Sequence, residues 1–234
     1  MNFISRIFGG KRKTKRVYFI RHGETLLNAK HVRQGPDGSL SDLGRKQAAA
    51  TGERLAPFPI DVMLVSPFER TRETADIINS YLHKKIEYCD LLKERRNPSE
   101  VIGKWGNDPE VRKIIDTIDK GFHEGSLRFS DEENFEDLKL RAEKLLEFLS
   151  ARPENEILCV THLIFLSMVG ARIEYGPQLT HKDYTKMSFL YPLSNASITV
   201  CEYDPTQKGN KNGGWQIVAW NDYSRKVGNK PTQL

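Results

Sequence analysis

The chain has 234 residues, of which 38% are hydrophobic and 29% are charged. This composition is ordinary for one soluble globular domain with a full core. No run of about 18 apolar residues occurs, which excludes a transmembrane helix in the sequence. The three cysteines, Cys89, Cys159 and Cys201, show no paired spacing. They predict a reduced, cytoplasmic protein rather than a disulfide scaffold.

The net charge of +5 comes from one end of the chain. Residues 1–16 contain six basic residues and no acidic one, whereas the remainder has 30 basic and 31 acidic residues. A nucleic-acid-binding face is therefore not expected. Residues 1–16 also place Phe3, Ile4, Ile7 and Phe8 at helical spacing before the basic cluster, a combination typical of a weak anchor to anionic membranes. We favour the alternative of a solvated terminus, because the apolar stretch is only two turns long.

The first half of the chain predicts alternating strands and helices. The apolar run Val17–Ile20 predicts a buried strand, followed by a charged loop that begins at Arg21. Ser41 is a suitable N-cap for a helix that extends to about Leu55. The run Val62–Val65 predicts a second buried strand. The next helix is marked by apolar residues at helical spacing, which are Ala75, Ile78 and Leu82. A weaker strand is expected near residues 85–88.

The second half begins with an irregular stretch. Glycine and proline interrupt residues 95–131, which contain one predicted helix near residues 111–118. An amphipathic helix is expected over residues 135–149, and the apolar run Ile157–Val160 predicts a strand that leads into another helix. Two further strands, near residues 197–203 and 215–220, are joined by a polar hairpin. Residues 225–234 are predicted to be a loose tail.

Three of the predicted strands are followed by arginine or histidine. Arg21 and His22 follow the first strand, Arg70 lies soon after the second, and His162 follows the run that ends at Val160. If these strands are parallel neighbours, the side chains converge at one edge of the sheet, where α/β proteins bind ligands. Two guanidinium groups and two imidazoles would suit a doubly charged anion such as phosphate.

Several segments resemble, in order, the signature of the histidine phosphatase superfamily (phosphoglycerate-mutase-like, branch 1). They span most of residues 17–222 and are Arg21–Asn28, Leu40–Ala48, Ser66–Ala75, Val160–His162 and Asn195–Thr199. The resemblance implies an α/β fold with a doubly wound, mostly parallel sheet and helices on both faces. It implies a domain over residues 17–224 between the tails 1–16 and 225–234. The insert at about 95–131 would be a lid that governs substrate choice.

The resemblance also implies a mechanism. His22 would be the nucleophile and form a phosphohistidine, which water then hydrolyses. Arg21, Arg70 and a charged His162 would neutralise the phosphoryl oxygens. Asn28 would lie in the same phosphate pocket as a neutral donor.

The leaving group needs a proton donor. The segment Leu92–Arg95 resembles the family's Leu-x-Glu segment, so we predict Glu94 as this acid. The sequence after Arg95 departs from the family pattern, and Glu100 therefore stays in reserve. Arg95 and Arg96 could bind a second anionic group of the substrate, or they could form a solvated basic turn.

Together these residues predict a phosphatase that acts on a small phosphomonoester. No cofactor is expected, and no metal, because no Cys/His cluster has ligand spacing. A phosphoglycerate-mutase-type phosphotransferase is the first alternative, disfavoured because Gly35–Gly38 replaces the Gly-Trp-x-Asp stretch common in mutases. A catalytically idle binding module tethered by residues 1–16 is the second alternative. The departure at Asn97-Pro98 favours it, and the intact His/Arg set opposes it. The substrate itself stays open.

Overall fold

The computed structural model describes residues 14–124, 128–223 and 231–232. The amphipathic stretch predicted in residues 1–13 and most of the predicted tail 225–234 lie outside these residues. The strands of the described residues are β1 (Lys15–Arg21), β2 (Val62–Val65), β3 (Ile86–Tyr88), β4 (Glu156–Thr161), β5 (Leu193–Ser194), β6 (Ile198–Tyr203), β7 (Trp215–Asp222) and β8 (Pro231–Thr232).

The helices surround a six-stranded sheet. Their bounds are α1 (Leu26–Ala29), α2 (Asp42–Leu55), α3 (Glu69–Leu82), α4 (Pro109–Glu124), α5 (Phe135–Ala151), α6 (Leu163–Tyr175) and α7 (His181–Leu190). Ser41 caps α2 as predicted, because its hydroxyl accepts a hydrogen bond from the Gly44 amide at 3.0 Å. Helix α7 was not predicted. It starts from a capping box between Thr180 and Asp183 and buries only a few of its side chains, so its apolar periodicity is weak.

Most of the sheet is parallel. The order is β3-β2-β4-β1-β6-β7, in which β3, β2, β4 and β1 run parallel to one another and β6 and β7 are antiparallel to them and to each other. The predicted C-terminal hairpin is β6-β7. Strands β5 and β8 pair separately. The doubly wound, mostly parallel α/β fold is thus confirmed.

Strand β1 begins two residues earlier than predicted. Arg16 forms an ion pair with Glu202 of β6 at 2.6 Å, and the Lys15 ammonium donates to the Glu154 carbonyl at 2.9 Å. Charged side chains at the start of a strand are tolerated where they find partners at the sheet margin. Two of the six basic residues of the N-terminal cluster therefore belong to the sheet.

Both faces of the sheet are covered by helices. In β1, Val17 and Phe19 face the cluster formed with α5 and α6, and Tyr18 and Ile20 face the one formed with α2 and α3. Each face loses its contact with water, which explains why the parallel strands are continuous apolar runs. Complete burial of a side chain such as Phe19 contributes about 2 kcal/mol.

The insert is joined to the loop after β1 by backbone hydrogen bonds. The Arg33 amide donates to the Lys104 carbonyl at 3.0 Å, and the Gly106 amide donates to the His31 carbonyl at 2.8 Å. The insert also has a small apolar cluster of its own, which consists of Val101, Val111 and Ile115. These contacts hold residues 97–112 over the carboxyl edge of the sheet.

Helix α4 is longer than the predicted stretch 111–118. The Asp108 carboxylate accepts from the Glu110 amide at 2.9 Å, and this starts the helix at Pro109. At the other end Phe122 packs against Phe135 and Tyr184, which carries the helix past residue 118. Among the described residues, no helix is both long and apolar enough to cross a membrane.

Candidate active site

The register of two neighbouring strands brings His22 and His162 together. Arg21 of β1 is the Cα partner of Thr161 of β4 in the parallel pair, and each histidine is the next residue along its strand. The His22 amide donates to the Thr161 carbonyl at 3.0 Å. The two imidazole centroids are 5.3 Å apart in an edge-on arrangement. The predicted convergence of strand ends is therefore observed.

His22 is held by one of its two ring nitrogens. Nδ1 lies 2.7 Å from the carbonyl oxygen of Gly23, so this nitrogen carries the proton and donates it. Among the described residues no group hydrogen-bonds to Nε2, whose lone pair is left for chemistry. Burial lowers the pKa of His22 well below its usual value, and Arg70 and Arg21 lower it further. The imidazole is neutral near pH 7, as a nucleophile must be.

His162 lies behind His22 and is completely buried. Its Nε2 is 2.8 Å from the Ser66 hydroxyl oxygen, and its Nδ1 has no hydrogen-bond partner in the described residues. Burial is the main cause that lowers the pKa of His162 well below its usual range, followed by Arg70 and His22. The expected charge on His162 is therefore not found, because the protein groups around it favour the neutral imidazole.

Arg21 and Arg70 are buried cations. The Arg21 guanidinium donates to the Leu193 carbonyl at 2.7 Å, and the Arg70 guanidinium donates to the Gly35 carbonyl at 2.8 Å. Neither forms an ion pair with a carboxylate of the described residues. Burial lowers the pKa of each to about 10, an effect that the nearby Glu94 opposes. Both remain protonated near pH 7 and keep their charge for an anionic ligand.

The loop after β1 fits tightly against the start of α2. A Cβ placed on Gly44 would lie 2.0 Å from the Glu24 carbonyl oxygen, and one on Gly23 would lie 2.5 Å from the Gly44 carbonyl oxygen. The Ser41 hydroxyl also donates to the Glu24 carboxylate at 2.8 Å. These contacts fix the backbone that carries His22.

Asn28 lies on helix α1, directly after this loop. The Thr25 hydroxyl accepts from the Asn28 amide at 3.0 Å and donates to the Asn28 side-chain oxygen at 2.9 Å. The exposed Asn28 side chain lines the same cavity as His22. Since its oxygen is occupied, the side chain can contribute N–H donors there.

Glu94 lies against the first turn of α6. One carboxylate oxygen accepts from the amides of Arg95 at 2.8 Å and Phe165 at 3.0 Å, and the other accepts from Ile164 at 3.2 Å. These contacts fix the carboxyl group of Glu94 in position beside α6. Glu94 lines the cavity, whereas the alternative Glu100 is exposed and does not. Of the two acids, Glu94 is therefore the one near His22.

The cavity at the carboxyl edge of the sheet has a volume of about 620 Å³. Its inner part is formed by five residues that the sequence indicated: Arg21, His22, Asn28, Arg70 and Glu94. Its outer part is formed by the loop after β1 and by the insert, through residues that include His31, Arg33, Gln34, Asn97, Asn107 and Arg112. Residues of the insert thus line the cavity that contains His22; that the insert acts as a lid stays a prediction. A second cavity, of about 480 Å³, adjoins the first at Arg70 and Glu94.

Sequence reasoning missed several residues of this region. Ser66 is the first residue after β2, so the rule that pointed to His22 could also have found it. The Asn195 side chain donates to the His22 carbonyl at 3.1 Å, and it belongs to a segment already singled out. Arg112 reaches the cavity because the insert folds over the sheet, and Arg33 lies in the part of the loop after β1 to which the insert is joined. No local pattern indicates that.

Arg95 and Arg96 were predicted to bind a second anion or to form a solvated turn. Arg95 lies against the Phe122 ring, 4.8 Å from its centroid, and is 3.5 Å from the Asp119 carboxylate. Arg96 donates to the Asp131 carbonyl. Both line the second cavity, not the one that contains His22. The described residues contain no group of three or more His, Cys, Asp or Glu side chains that could hold a metal ion.

Fold and site together define an α/β protein with a cavity in which two buried arginines lie beside a neutral histidine. The sequence profile of the histidine phosphatase superfamily (branch 1) matches residues 17–223. The chain belongs to this family.

Named relatives include phosphatases and mutases. "Uncharacterized phosphatase PhoE" of Bacillus subtilis is 44% identical over 80 residues, which are 34% of this chain and 42% of that protein. The chain thus spans less than half of that relative. "Probable phosphoglycerate mutase GpmB" of Erwinia tasmaniensis is 44% identical over 215 residues, 89% of this chain and 93% of that protein. The solved structure "Bacillus stearothermophilus YhfR" superposes with a TM-score of 0.73 at 25% identity, covering 89% of this chain and 98% of that one.

Proposed function

We propose that this protein is a phosphatase that hydrolyses small phosphomonoesters through a phosphohistidine on His22. One observation carries the proposal. The Gly23 carbonyl holds the Nδ1 proton of His22, while Nε2 is left without a partner beside Arg21 and Arg70. A neutral imidazole with a fixed tautomer and a free lone pair, beside two buried cations, is suited to attack a phosphorus atom.

In the first step, His22 Nε2 forms a bond to phosphorus as the ester P–O bond breaks. Arg21 and Arg70 neutralise the charge on the transferred group, and Asn28 donates a neutral hydrogen bond to it. The unpartnered His162 Nδ1 is a further donor, in the tautomer in which the Ser66 hydroxyl donates to Nε2. A phosphate dianion at this position would raise the pKa of His162, against the effects of burial and of Arg70.

Glu94 would supply the proton to the leaving oxygen. Its second carboxylate oxygen has a single amide partner, Ile164, at 3.2 Å, and is therefore the oxygen better placed to carry a proton. In the second step the carboxylate takes a proton from water, which attacks the phosphohistidine. The P–N bond breaks, inorganic phosphate leaves, and His22 regains its lone pair.

The direct test is turnover of para-nitrophenyl phosphate. We expect His22→Ala to lower kcat/KM at least about a thousandfold, since the nucleophile is lost. His83→Asn is the matched control, because His83 is exposed at the end of α3 and has a positive φ that asparagine accepts. Equal turnover by wild type and His22→Ala would end the proposed mechanism. The trapped phosphoenzyme should be labile in acid and stable in base, as phosphohistidine is. This result would exclude a serine or threonine nucleophile, whose phosphoester is stable in acid.

A phosphoglycerate mutase is the second candidate, because a relative of which the chain covers 93% carries that name. Gly35–Gly38 in place of the Gly-Trp-x-Asp stretch favours the phosphatase. Incubation with 3-phosphoglycerate and 2,3-bisphosphoglycerate separates the two. Rapid formation of 2-phosphoglycerate would refute the hydrolase, and release of inorganic phosphate without isomerisation would support it.

A further inference from the structure

The outer part of the cavity contains two cations that the phosphatase chemistry does not use. Arg33, from the loop after β1, and Arg112, from α4 of the insert, line the same cavity as His22. The Arg33 guanidinium forms no ion pair and no side-chain hydrogen bond with any described residue. Arg112 forms an exposed ion pair with Asp116 at 3.0 Å. Such a pair contributes little, and the Arg112 guanidinium can exchange it for another anion.

The two carboxylates that line this cavity do not neutralise these arginines. Glu24 accepts from the Ser41 hydroxyl, and Glu94 accepts from two backbone amides at the start of α6 and from the amide of the neighbouring Arg95. Both carboxylates belong to the inner part of the cavity, which contains His22. The outer wall offers Arg33 and Arg112 together with amide side chains of Gln34, Asn97 and Asn107.

Arg33 is in an environment that disfavours an unpaired cation. Burial lowers its pKa, and Asp119 offsets part of this effect, whereas Arg95 and Arg112 add to it. Asp119 is shared, because it also lies 3.5 Å from Arg95. An anion beside Arg33 would relieve this repulsion.

In the adjoining second cavity, no basic side chain resembles Arg33 in lacking both an ion pair and a side-chain hydrogen bond among the described residues. Its basic side chains are each engaged by another group: Lys93 by Asp90 at 3.0 Å, Arg95 by Asp119, Arg141 by Glu133 at 2.8 Å, Arg96 by the Asp131 carbonyl, and Arg70, which both cavities share, by the Gly35 carbonyl at 2.8 Å. The contrast distinguishes the two cavities. Arg33, which has no such partner, lines only the cavity that contains His22.

We propose that Arg33 and Arg112 form a subsite for a second anionic group, so that the preferred substrates are phosphomonoesters that also carry a carboxylate or a second phosphate. This inference rests on the proposed function, because that function identifies the group bound at Arg21 and Arg70 as the phosphoryl group. The substrate would span the cavity, with its phosphoryl group at Arg21 and Arg70 and its second anion at the insert.

The test uses phosphonates, whose P–C bond no phosphatase or mutase chemistry breaks. 3-Phosphonopropionate and 3-hydroxypropylphosphonate differ only in whether the far end is a carboxylate or a hydroxyl. Propane-1,3-bisphosphonate places a phosphonate at the far end instead. Calorimetric binding to the full chain should show the carboxylate or the bisphosphonate at least about tenfold tighter than the hydroxyl compound, since a charged hydrogen bond contributes about 1.5–3 kcal/mol. Whichever binds tighter identifies the second anion.

Substitutions test whether Arg33 and Arg112 cause this preference for a second anion. Arg33→Gln and Arg112→Gln should each reduce it, whereas Arg33→Lys should retain part of it because the charge remains. Lys113→Gln is the matched control, because Lys113 is exposed on α4 next to Arg112 and does not line the cavity. It should leave the preference unchanged.

The outcomes separate the two proposals. Equal affinities for the compounds, no binding of any of them, or a preference unaffected by Arg33→Gln would overturn the subsite. A preference that depends on Arg33 in a chain that does not hydrolyse phosphomonoesters would refute the phosphatase but uphold the subsite. Hydrolysis of phosphomonoesters without any preference for a second anion would uphold the phosphatase but refute the subsite.

Discussion

Arg141 of α5 holds the backbone of Glu94: its guanidinium donates to the Glu94 carbonyl oxygen at 3.2 Å. The same guanidinium donates to the carbonyls of Leu91 at 3.0 Å and Lys93 at 2.7 Å. It also forms a bidentate ion pair with Glu133, with both contacts at 2.8 Å. Arg141 touches neither His22 nor the phosphate pocket. It is therefore a positioning residue for the proposed proton donor.

Arg141→Lys should impair turnover of substrates with poor leaving groups. An ammonium cannot reproduce the planar set of contacts, so the Glu94 carboxyl would lose its position. We expect kcat for an alkyl phosphate to fall about 10–100-fold, and kcat for 2,4-dinitrophenyl phosphate, whose leaving group needs no proton, to fall much less. Arg172→Lys is the control, because Arg172 pairs with Glu143 between α6 and α5 at similar burial. Equal losses on both substrates would mean that Arg141 acts only on stability.

Gly44→Ala should displace the loop that carries His22. The added Cβ would lie 2.0 Å from the Glu24 carbonyl oxygen, so the backbone must shift. We expect the free energy of unfolding to fall by about 1–3 kcal/mol and turnover of para-nitrophenyl phosphate to fall at least about tenfold. Gly209→Ala, where no atom lies within 4 Å of the new Cβ, should do neither. Normal activity of Gly44→Ala would show that the close contact does not position His22.

Ser66→Ala should weaken the site through His162. The change removes the hydroxyl 2.8 Å from Nε2 and leaves a buried ring nitrogen without a partner. The tautomer that puts a proton on Nδ1 is no longer favoured, and we expect kcat/KM to fall about tenfold. Ser80→Ala on the exposed side of α3 is the control, because that hydroxyl bonds only its own helix. An unchanged kcat/KM would exclude a role for the His162 tautomer.

Stability should decrease in mild acid. The pKa values of His22 and His162 lie well below that of the unfolded chain, near 6.5. Above that pH the two histidines are neutral in both the native and the unfolded chain, so they make no contribution to the pH dependence of the free energy of unfolding. Below it the unfolded chain binds protons that the native chain does not, so the free energy of unfolding falls as the pH falls. The slope is at most about 1.4 kcal/mol per pH unit for each histidine.

Denaturant unfolding at pH 7, 6 and 5 measures this slope. The double variant His22→Asn/His162→Asn should have a smaller slope than wild type over the same range. If the slopes are the same, these two histidines are protonated in the native state as readily as in the unfolded chain.

The sequence predicted those parts of the site that local patterns encode. Val17–Ile20 and Ile157–Val160 are apolar because both of their faces are buried, and the histidines that follow are therefore recognisable at strand ends. The charge state of His162 depends first on its burial and then on Arg70 and His22, none of which is encoded in a single segment. Arg33, Arg112 and Arg141 act across the fold, so their partners could not be found by spacing. Helix α7 has too few buried residues for its periodicity to be visible.

The connection between the loop after β1 and the insert uses backbone groups, from His31 and Arg33 to Lys104 and Gly106, and the insert has its own apolar cluster. Backbone contacts do not depend on which side chains the insert presents. Mutations at cavity-facing positions such as Asn107 and Arg112 can thus accumulate while the attachment is preserved. New substrate preferences could evolve, or be engineered by exchanging this segment, with the histidine chemistry of the sheet edge retained.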